Sequence, residues 1–288
     1  MRFTRFTVAM ASCFALSSCG TYIPSQRDWP HASTEEVAAM NSALVRSIVC
    51  ELSYAVTHAL GNDLDLAKKR PNHKTYADFM LNWGVEVATD LTVSENTKIN
   101  PTAEWAPKTP VSALLTLGGG VNVGSTATGE DAQNMFFALS DLYHPELFRP
   151  DSTERPCRDP SHNKEGSPLV DIDLQLLPLL ESKLHPIELQ MVGPPTKNVV
   201  VEGGKNVLTK TVSIKEEISG DISPSWKFTT GTLNSSGTFL SAGRERTHQI
   251  VFTFGELSET KKELSPVAEA YHQNALIRAG YRAGLATQ

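Results

Sequence analysis

Between Asn82 and Val93 the chain changes character at every residue. Trp83, Val85, Val87, Thr89, Leu91 and Val93 alternate with Asn82, Gly84, Glu86, Ala88, Asp90 and Thr92. A period of two places the first set on one face of a strand and the second on the other. One greasy face and one polar face describe a sheet covered on one side, which favours antiparallel pairing. Residues 111–123 predict a second strand, with Leu115, Leu117, Val121 and Val123 on one face. Residues 133–142 predict a third, centred on Met135, Phe136, Phe137 and Leu139. Further strands are expected at 206–218, 224–230, 237–243 and 247–254, the last with His248, Ile250, Phe252 and Phe254 on one face. Short polar connections between the first three suggest a meander.

Helical periodicity frames these strands. Ser33-Thr34-Glu35-Glu36 reads as a capping box. Val37, Met40, Leu44, Ile48, Leu52, Val56 and Ala59 follow at three- and four-residue steps, and Gly61-Asn62 is the expected stop. A second helix is expected over 169–184 in spite of Pro178, and a third over 258–280. The expected fold is α+β: a largely antiparallel β-sheet, sandwich-like or partly rolled, with N-terminal and C-terminal helices packed on it. Residues 33–288 form one domain, or two lobes divided near 145–195, because 144–168 is an irregular stretch rich in Pro, Asp, Arg, Ser and His. The chain has 288 residues, enough for a sizeable core. No internal repeat is visible, and no later segment reaches the length of a membrane-crossing helix. A transmembrane β-barrel is disfavoured: aromatic girdles are not evident and the sequence closes on a polar, helix-like segment.

The N-terminal residues give an address. Arg2 and Arg5 precede an apolar run from Val8 to Leu16, and Leu16-Ser17-Ser18-Cys19 follows. This resembles a bacterial lipoprotein signal with its lipobox. The resemblance implies cleavage after residue 18 and a diacylglycerol on the Cys19 thiol; an ordinary secretory signal with Cys19 incidental is the other reading. Two or more acyl chains hold a protein durably at a bilayer. Gly20, in place of Asp, favours the outer membrane if the cell is Gram-negative. Residues 19–32, with Pro24 and Pro30, read as a tether. The order of lipobox, helix and Trp-led strand, with Ser223-Pro224-Ser225-Trp226-Lys227 and Arg244-Glu245-Arg246-Thr247-His248 late in the chain, resembles uncharacterised proteobacterial lipoproteins.

Losing Arg2 and Arg5 leaves 24 basic against 32 acidic residues, a net charge of −8. That balance argues against a nucleic-acid partner and gives no general attraction to anionic lipid. Of four cysteines, Cys13 leaves with the leader and Cys19 is the lipidation site. In an oxidising compartment the remaining pair, Cys50 and Cys157, is expected to form a disulfide. The alternative is a buried Cys50 acting as a small hydrophobe beside an unrelated Cys157.

Chemical motifs fall short of their requirements. Gly118-Gly119-Gly120 with Gly124 lacks nucleotide-loop spacing, and glycines in a strand mark bulges or close approach. Gly203-Gly204-Lys205 is a turn. Ser161–Lys164 and Ser258–Lys261 match S-x-x-K without its companion elements. Asp141, His144 and Glu146 read as a solvated turn before they read as a metal cluster, and Asp171 and Asp173 suit a helix start. Lys68-Lys69-Arg70-Pro71 reads as a solvated loop. Arg244, Arg246 and His248 share one face of a late strand. They are the candidate binding strip for an anionic envelope component, against a plainer reading as cross-strand charge pairs. The expectation is a non-enzymatic binding or assembly subunit that needs no cofactor or metal, reaches the membrane through Cys19 and meets an envelope protein partner. A lipid-anchored periplasmic hydrolase is the alternative.

Overall fold

The computed structural model describes residues 24, 33–105, 117–148, 172–189, 191, 207–228, 231–234 and 237–286. Helix α1 runs over Thr34–Lys69 and opens on the expected capping box. The Ser33 hydroxyl accepts from the Glu36 amide at 3.2 Å, and the Ser33 amide donates to the Glu36 carboxylate at 2.8 Å. Its apolar stripe (Met40, Leu44, Ile48, Leu52, Val56, Ala59) is buried. Each large side chain of that kind contributes roughly 1.5–3 kcal/mol by leaving water.

The helix does not stop at Gly61-Asn62. It continues two turns, because Asp63 makes those turns part of the core. Asp63 is 1% exposed. Its carboxylate accepts from Arg70 Nη1 at 2.7 Å and from the amides of Tyr76 and Ala77 at 2.6 and 2.7 Å. Arg70, the C-cap, also lies over the Tyr76 ring at 4.6 Å. This clamp outweighs the roughly 1 kcal/mol penalty of a helical glycine. The basic run 68–71 is therefore half structural: Arg70 is a staple, and only Lys68 and Lys69 are solvated. By composition α1 is long and apolar enough to cross a bilayer, contrary to the sequence reading. Ile48, Leu52 and Val56 are fully buried, which makes it a core helix.

A 3₁₀ turn over Asp78–Asn82 leads into strand β1, Trp83–Ile99. Then come β2 (Thr102–Trp105), β3 (Leu117–Gly120), β4 (Val123–Ala138) and a one-turn helix α2 (Leu139–Leu142). Helix α3 spans Leu176–Glu188, followed by β5 (Leu208–Ile222), β6 (Trp226–Phe228), β7 (Gly231–Leu233), β8 (Leu240–Glu256) and helix α4 (Pro266–Ala286). The fold is α+β with two antiparallel sheets and N- and C-terminal helices. The large sheet has the order β4-β1-β8-β5 and the small one β3-β2-β7-β6.

Several boundaries differ from the sequence reading. The strand expected at 111–123 is β3 plus the start of β4, broken at residues 121–122, and 111–116 lie outside the described residues. The strand expected at 133–142 ends at Ala138, where Leu139 and Leu142 turn inward together as α2. Ser53 Oγ donates to the Leu142 carbonyl at 2.6 Å and fixes that turn to α1. Helix α3 starts seven residues late, so Pro178 falls in its first turn, where a missing amide costs nothing. Asp173 accepts from the Gln175 amide just before it. The helix expected over 258–280 begins at Pro266, a favoured first helical residue. The strands expected at 237–243 and 247–254 are one continuous strand, β8, which begins at Leu240 and leaves 237–239 outside it.

The elements form a repeat that the sequence hides. β1-β2-β3-β4 and β5-β6-β7-β8 are each a long strand, two short strands and a long strand, framed by helices before and after. Ile99 and Ile222 end the first long strands, and Pro101 and Pro224 follow at the same offset. In both sheets the first half and the second half sit side by side, joined at β1/β8 and at β2/β7.

The chain divides into two compact units. One is built from Leu91–Glu130 and Lys215–Thr247 and holds the small sheet with one end of each long strand. The other is built from Arg27–Asp90, Asp131–Ile214 and His248–Gln288 and holds the helices with the other strand ends. The 145–195 stretch, where a lobe boundary was expected, lies mostly outside the described residues. In the helical unit α1 packs on α3. α4 lies on the sheet face carrying Thr253 and Gly255, where the Ala268 methyl would stand 2.5 Å from a Cβ at Gly255. The opposite face carries Val85, Val87, Ile250, Phe252 and Phe254, all fully buried.

Candidate functional site

Strand alternation does put Arg244, Arg246 and His248 on one face of β8, but that face is occupied. Arg244 Nη1 donates to Glu95 Oε1 on β1 at 2.7 Å. Arg246 Nε donates to Glu216 Oε2 on β5 at 2.8 Å, and its Nη2 bonds the same oxygen. Both guanidinium side chains are largely buried, at 15% and 8% exposure, and His248 is fully buried. Cross-strand charge pairing describes these residues better than an open anion strip.

The strongest titratable cluster joins residues far apart in the sequence, Glu86 with Glu269 and His272. It lies under α4 in the helical unit. Glu86 on β1 accepts from Asn134 Nδ2 on β4 at 2.6 Å and hydrogen-bonds the Glu269 carboxylate from α4. Glu269 also accepts from Gln273 Nε2 at 2.7 Å. His272, one turn along, is fully buried; its Nδ1 meets Thr253 Oγ1 at 2.9 Å and its Nε2 stands 3.9 Å from Glu86. Burial, with the bond to Glu269, pushes the Glu86 carboxyl up to about 7. The hydrogen bonds from Glu86 and Gln273 hold Glu269 below the usual carboxylate range. Burial lowers His272 against the pull of Glu269. Below about pH 7 Glu86 therefore carries the proton of the pair and donates it to Glu269, beside an imidazole that burial disfavours charging. Paired carboxylates with a histidine are groups that perform acid–base chemistry. Here each is turned to a partner that holds α4 on the sheet.

The surface features lie elsewhere. A groove of about 630 Å³ opens on the small sheet, lined by Pro101–Trp105, Gly118–Val121 and Leu233. Gly118 and Gly119 would meet nothing within 4 Å if they carried a Cβ. Trp105 is 51% exposed beside it. In the same unit Val121, Val123, Ile218, Ile222 and Trp226 are also exposed. A second groove, about 780 Å³, runs between α1 and α3 past Asn62, Asp65, Lys69, Glu181, His185 and Glu188.

Cys50 is disulfide-bonded; its partner is one of the other three cysteines, all outside the described residues. Cys19, Cys157, Asp171 and the Ser161–Lys164 motif also lie outside them. Ser258–Lys261 closes a turn, Lys261 N to Ser258 O at 3.0 Å, so Ser258 does not open a helix as S-x-x-K chemistry requires. His144 meets Glu146 at 3.0 Å on the surface, and among the described residues no group of three or more His, Cys, Asp or Glu is placed to hold a metal ion.

No protein-family model matches this chain, and no curated protein matches it. Among solved structures, the Salmonella SPI-1 type III secretion injectisome secretin InvG (residues 176-end, open gate state) is similar at 9% identity, with a TM-score of 0.18. The match covers 68% of this chain and 66% of that one, so the chain spans just under two thirds of its length. At that TM-score the likeness carries neither a fold nor a function.

Proposed function

We propose that this protein is a lipoprotein of the bacterial envelope. Its Cys19 carries the lipid at the outer membrane, and its body serves as a non-enzymatic assembly subunit. The address rests on the basic, apolar leader ending in Leu16-Ser17-Ser18-Cys19. The assembly role rests on one observation above the others. In the strand unit Trp105 and Trp226 are exposed on the small sheet, Val123, Ile218 and Ile222 on the edge strands of the large one, and Val121 in the link between β3 and β4. Apolar surface gathered on open-edged sheets suits a protein partner. The titratable groups that would suit catalysis are instead committed to holding α4.

Fractionation of cells expressing the full chain tests the address. The wild type is expected with the outer membrane, and Cys19→Ala in the soluble periplasm. Sedimentation after detergent extraction tests the assembly role. Wild type is expected well above the monomer, and Trp105→Ala with Trp226→Ala nearer to it. Equal partition of wild type and Cys19→Ala overturns the anchor. A monomeric wild type overturns the assembly role.

A further inference from the structure

The repeated topology leaves two half-interfaces open, and we propose that a second copy of this chain fills them. Inside one copy the repeats meet at β1/β8 in the large sheet and at β2/β7 in the small one. The strands equivalent to β1 and β8 in the other repeat are β5 and β4; those equivalent to β2 and β7 are β6 and β3. These four strands are the outer edges of the two sheets among the described residues. β5 of one copy can therefore meet β4 of the next by the junction already used inside the copy, and β6 can meet β3. Strand direction agrees: four alternating strands followed by the same four keep every neighbour antiparallel.

The register follows from contacts within the copy. Asn100 N donates to Phe239 O at 2.8 Å and Leu257 N to Asn82 O at 3.0 Å, one register that sets Ile99 opposite Leu240 at the strand ends and Glu95 opposite Arg244, whose side chains bond. The equivalent ends are Ile222 on β5 and Val123 on β4. Stepping back along both strands then sets Ser219 opposite Thr126, Ile218 opposite Ala127 and Lys215 opposite Glu130. This register explains exposed residues that otherwise have no reason to be apolar. Ile222, Ile218 and Val123 are 60%, 72% and 51% exposed in the single copy, and each acquires a cross-strand neighbour. Lys215, which already meets Glu245 at 2.9 Å, gains a second carboxylate at exposed Glu130.

The small sheet gives the same answer independently. Inside the copy Ala103 pairs with both Gly119 and Leu233, and Leu233 pairs with Trp226. The repeat equates Ala103 with Trp226 and Leu233 with Gly119. Trp226 of one copy thus falls opposite Gly119 of the next, within the three glycines of the edge strand that line the Trp105 groove. A large aromatic opposite a bare glycine fills that groove.

The interface is head-to-tail: one copy offers β5 and β6, the next offers β4 and β3. Repeated with a rotation that closes, such an interface forms a ring and removes both exposed edges. This inference deepens the assembly reading of the same surface by naming the partner, and it does not depend on the lipid. Thr126→Cys and Ser219→Cys in the full chain test it in intact membranes under mild oxidation. Both sites are exposed polar positions, so the variants should fold. Within one copy they lie three strand spacings apart, roughly 14 Å, beyond the roughly 7 Å reach of a disulfide. The double variant is expected to give a reducible ladder ending in one discrete species. Each single variant, and the unsubstituted chain, is expected to stay uncrosslinked. Co-expressed single variants are expected to stop at the dimer. A double variant that remains monomeric, an unbounded smear, or a single variant that crosslinks equally well overturns the ring. Fatty-acid labelling of the same membranes separates the two claims. Label without a ladder defeats the ring alone, and a ladder without label defeats the lipoprotein address alone.

Discussion

Asp63 is the residue whose loss should cost the fold most for the smallest change in volume. Its carboxylate is buried, and it accepts three charge-assisted hydrogen bonds, from Arg70 Nη1, Tyr76 N and Ala77 N, all at 2.6–2.7 Å. Asp63→Ala removes all three acceptors at once. Two amides would then lie unpaired inside a turn whose residues, Tyr76 and Ala77, are 7% and 1% exposed. Leaving a buried donor unpaired costs about 1–3 kcal/mol, and breaking a buried ion pair from one side about 3–5. These overlap, so the expected loss is about 4 kcal/mol, or roughly 8–16 °C in Tm for a chain of this size. Asp63→Asn keeps the shape and one acceptor oxygen, and should fall between Asp63→Ala and wild type. Asp65→Ala is the control: Asp65 pairs with Lys68 on an exposed helix face, and the melting curve should not move. Thermal unfolding by circular dichroism reads all four proteins. An Asp63→Ala curve within 1 °C of wild type would refute the view that this clamp carries α1 past Gly61.

Glu86→Gln removes a carboxyl whose folded value, about 7, lies above its ordinary 4.5; the stability from its bound proton is full below the ordinary value and is lost as pH rises through 7. His272 is shifted down and acts the opposite way, contributing stability that is lost on acidification below its ordinary 6.5. Tm measured from pH 5 to 8 should therefore rise more steeply with pH, or fall less, in Glu86→Gln than in wild type, and parallel profiles would contradict the assignment. A non-reducing peptide map should join Cys50 to Cys157; closing about a hundred residues restrains the unfolded chain by up to roughly 4.7 kcal/mol, and a bond from Cys50 to any other cysteine would defeat the pairing. Gly255→Ala puts a methyl 2.5 Å from Ala268 Cβ and should destabilise the packing of α4 by about 1–3 kcal/mol, while Gly118→Ala, with open space around it, should leave the melting curve unchanged.

The elements that were legible in the sequence are those whose causes are local. The start of α1 follows from Ser33 and Glu36, three residues apart, and β1 from strict alternation over twelve residues. The end of α1 was not legible, because Asp63 is satisfied by amides 13 and 14 residues away. The face shared by Arg244, Arg246 and His248 came from strand geometry alone. That it is closed by ion pairs depends on Glu95, 149 residues earlier, and on Glu216, 30 residues earlier. Glu86 and His272 are brought together by α4, and the only local hint was a carboxylate in the middle of a strand rich in Val. The repeat is faint in the sequence for a similar reason. Long strands need only the right alternation, so little besides Ile99/Ile222, Pro101/Pro224 and Trp105/Phe228 recurs at one offset. The short strands are also joined by connections of unequal length, 106–116 in one repeat and 229–230 in the other. Cys19, on which the address depends, lies outside the described residues and rests on its motif.

The mass of the mature N-terminal peptide tests the central claim most directly. Protein purified from membranes and digested should yield a first peptide beginning at Cys19, heavier by a diacylglycerol thioether, with or without an N-acyl chain. Residues 1–18 should be missing. A peptide map that recovers residues 1–18 joined to an unmodified Cys19, or a mature N-terminus at any other residue, would contradict the account.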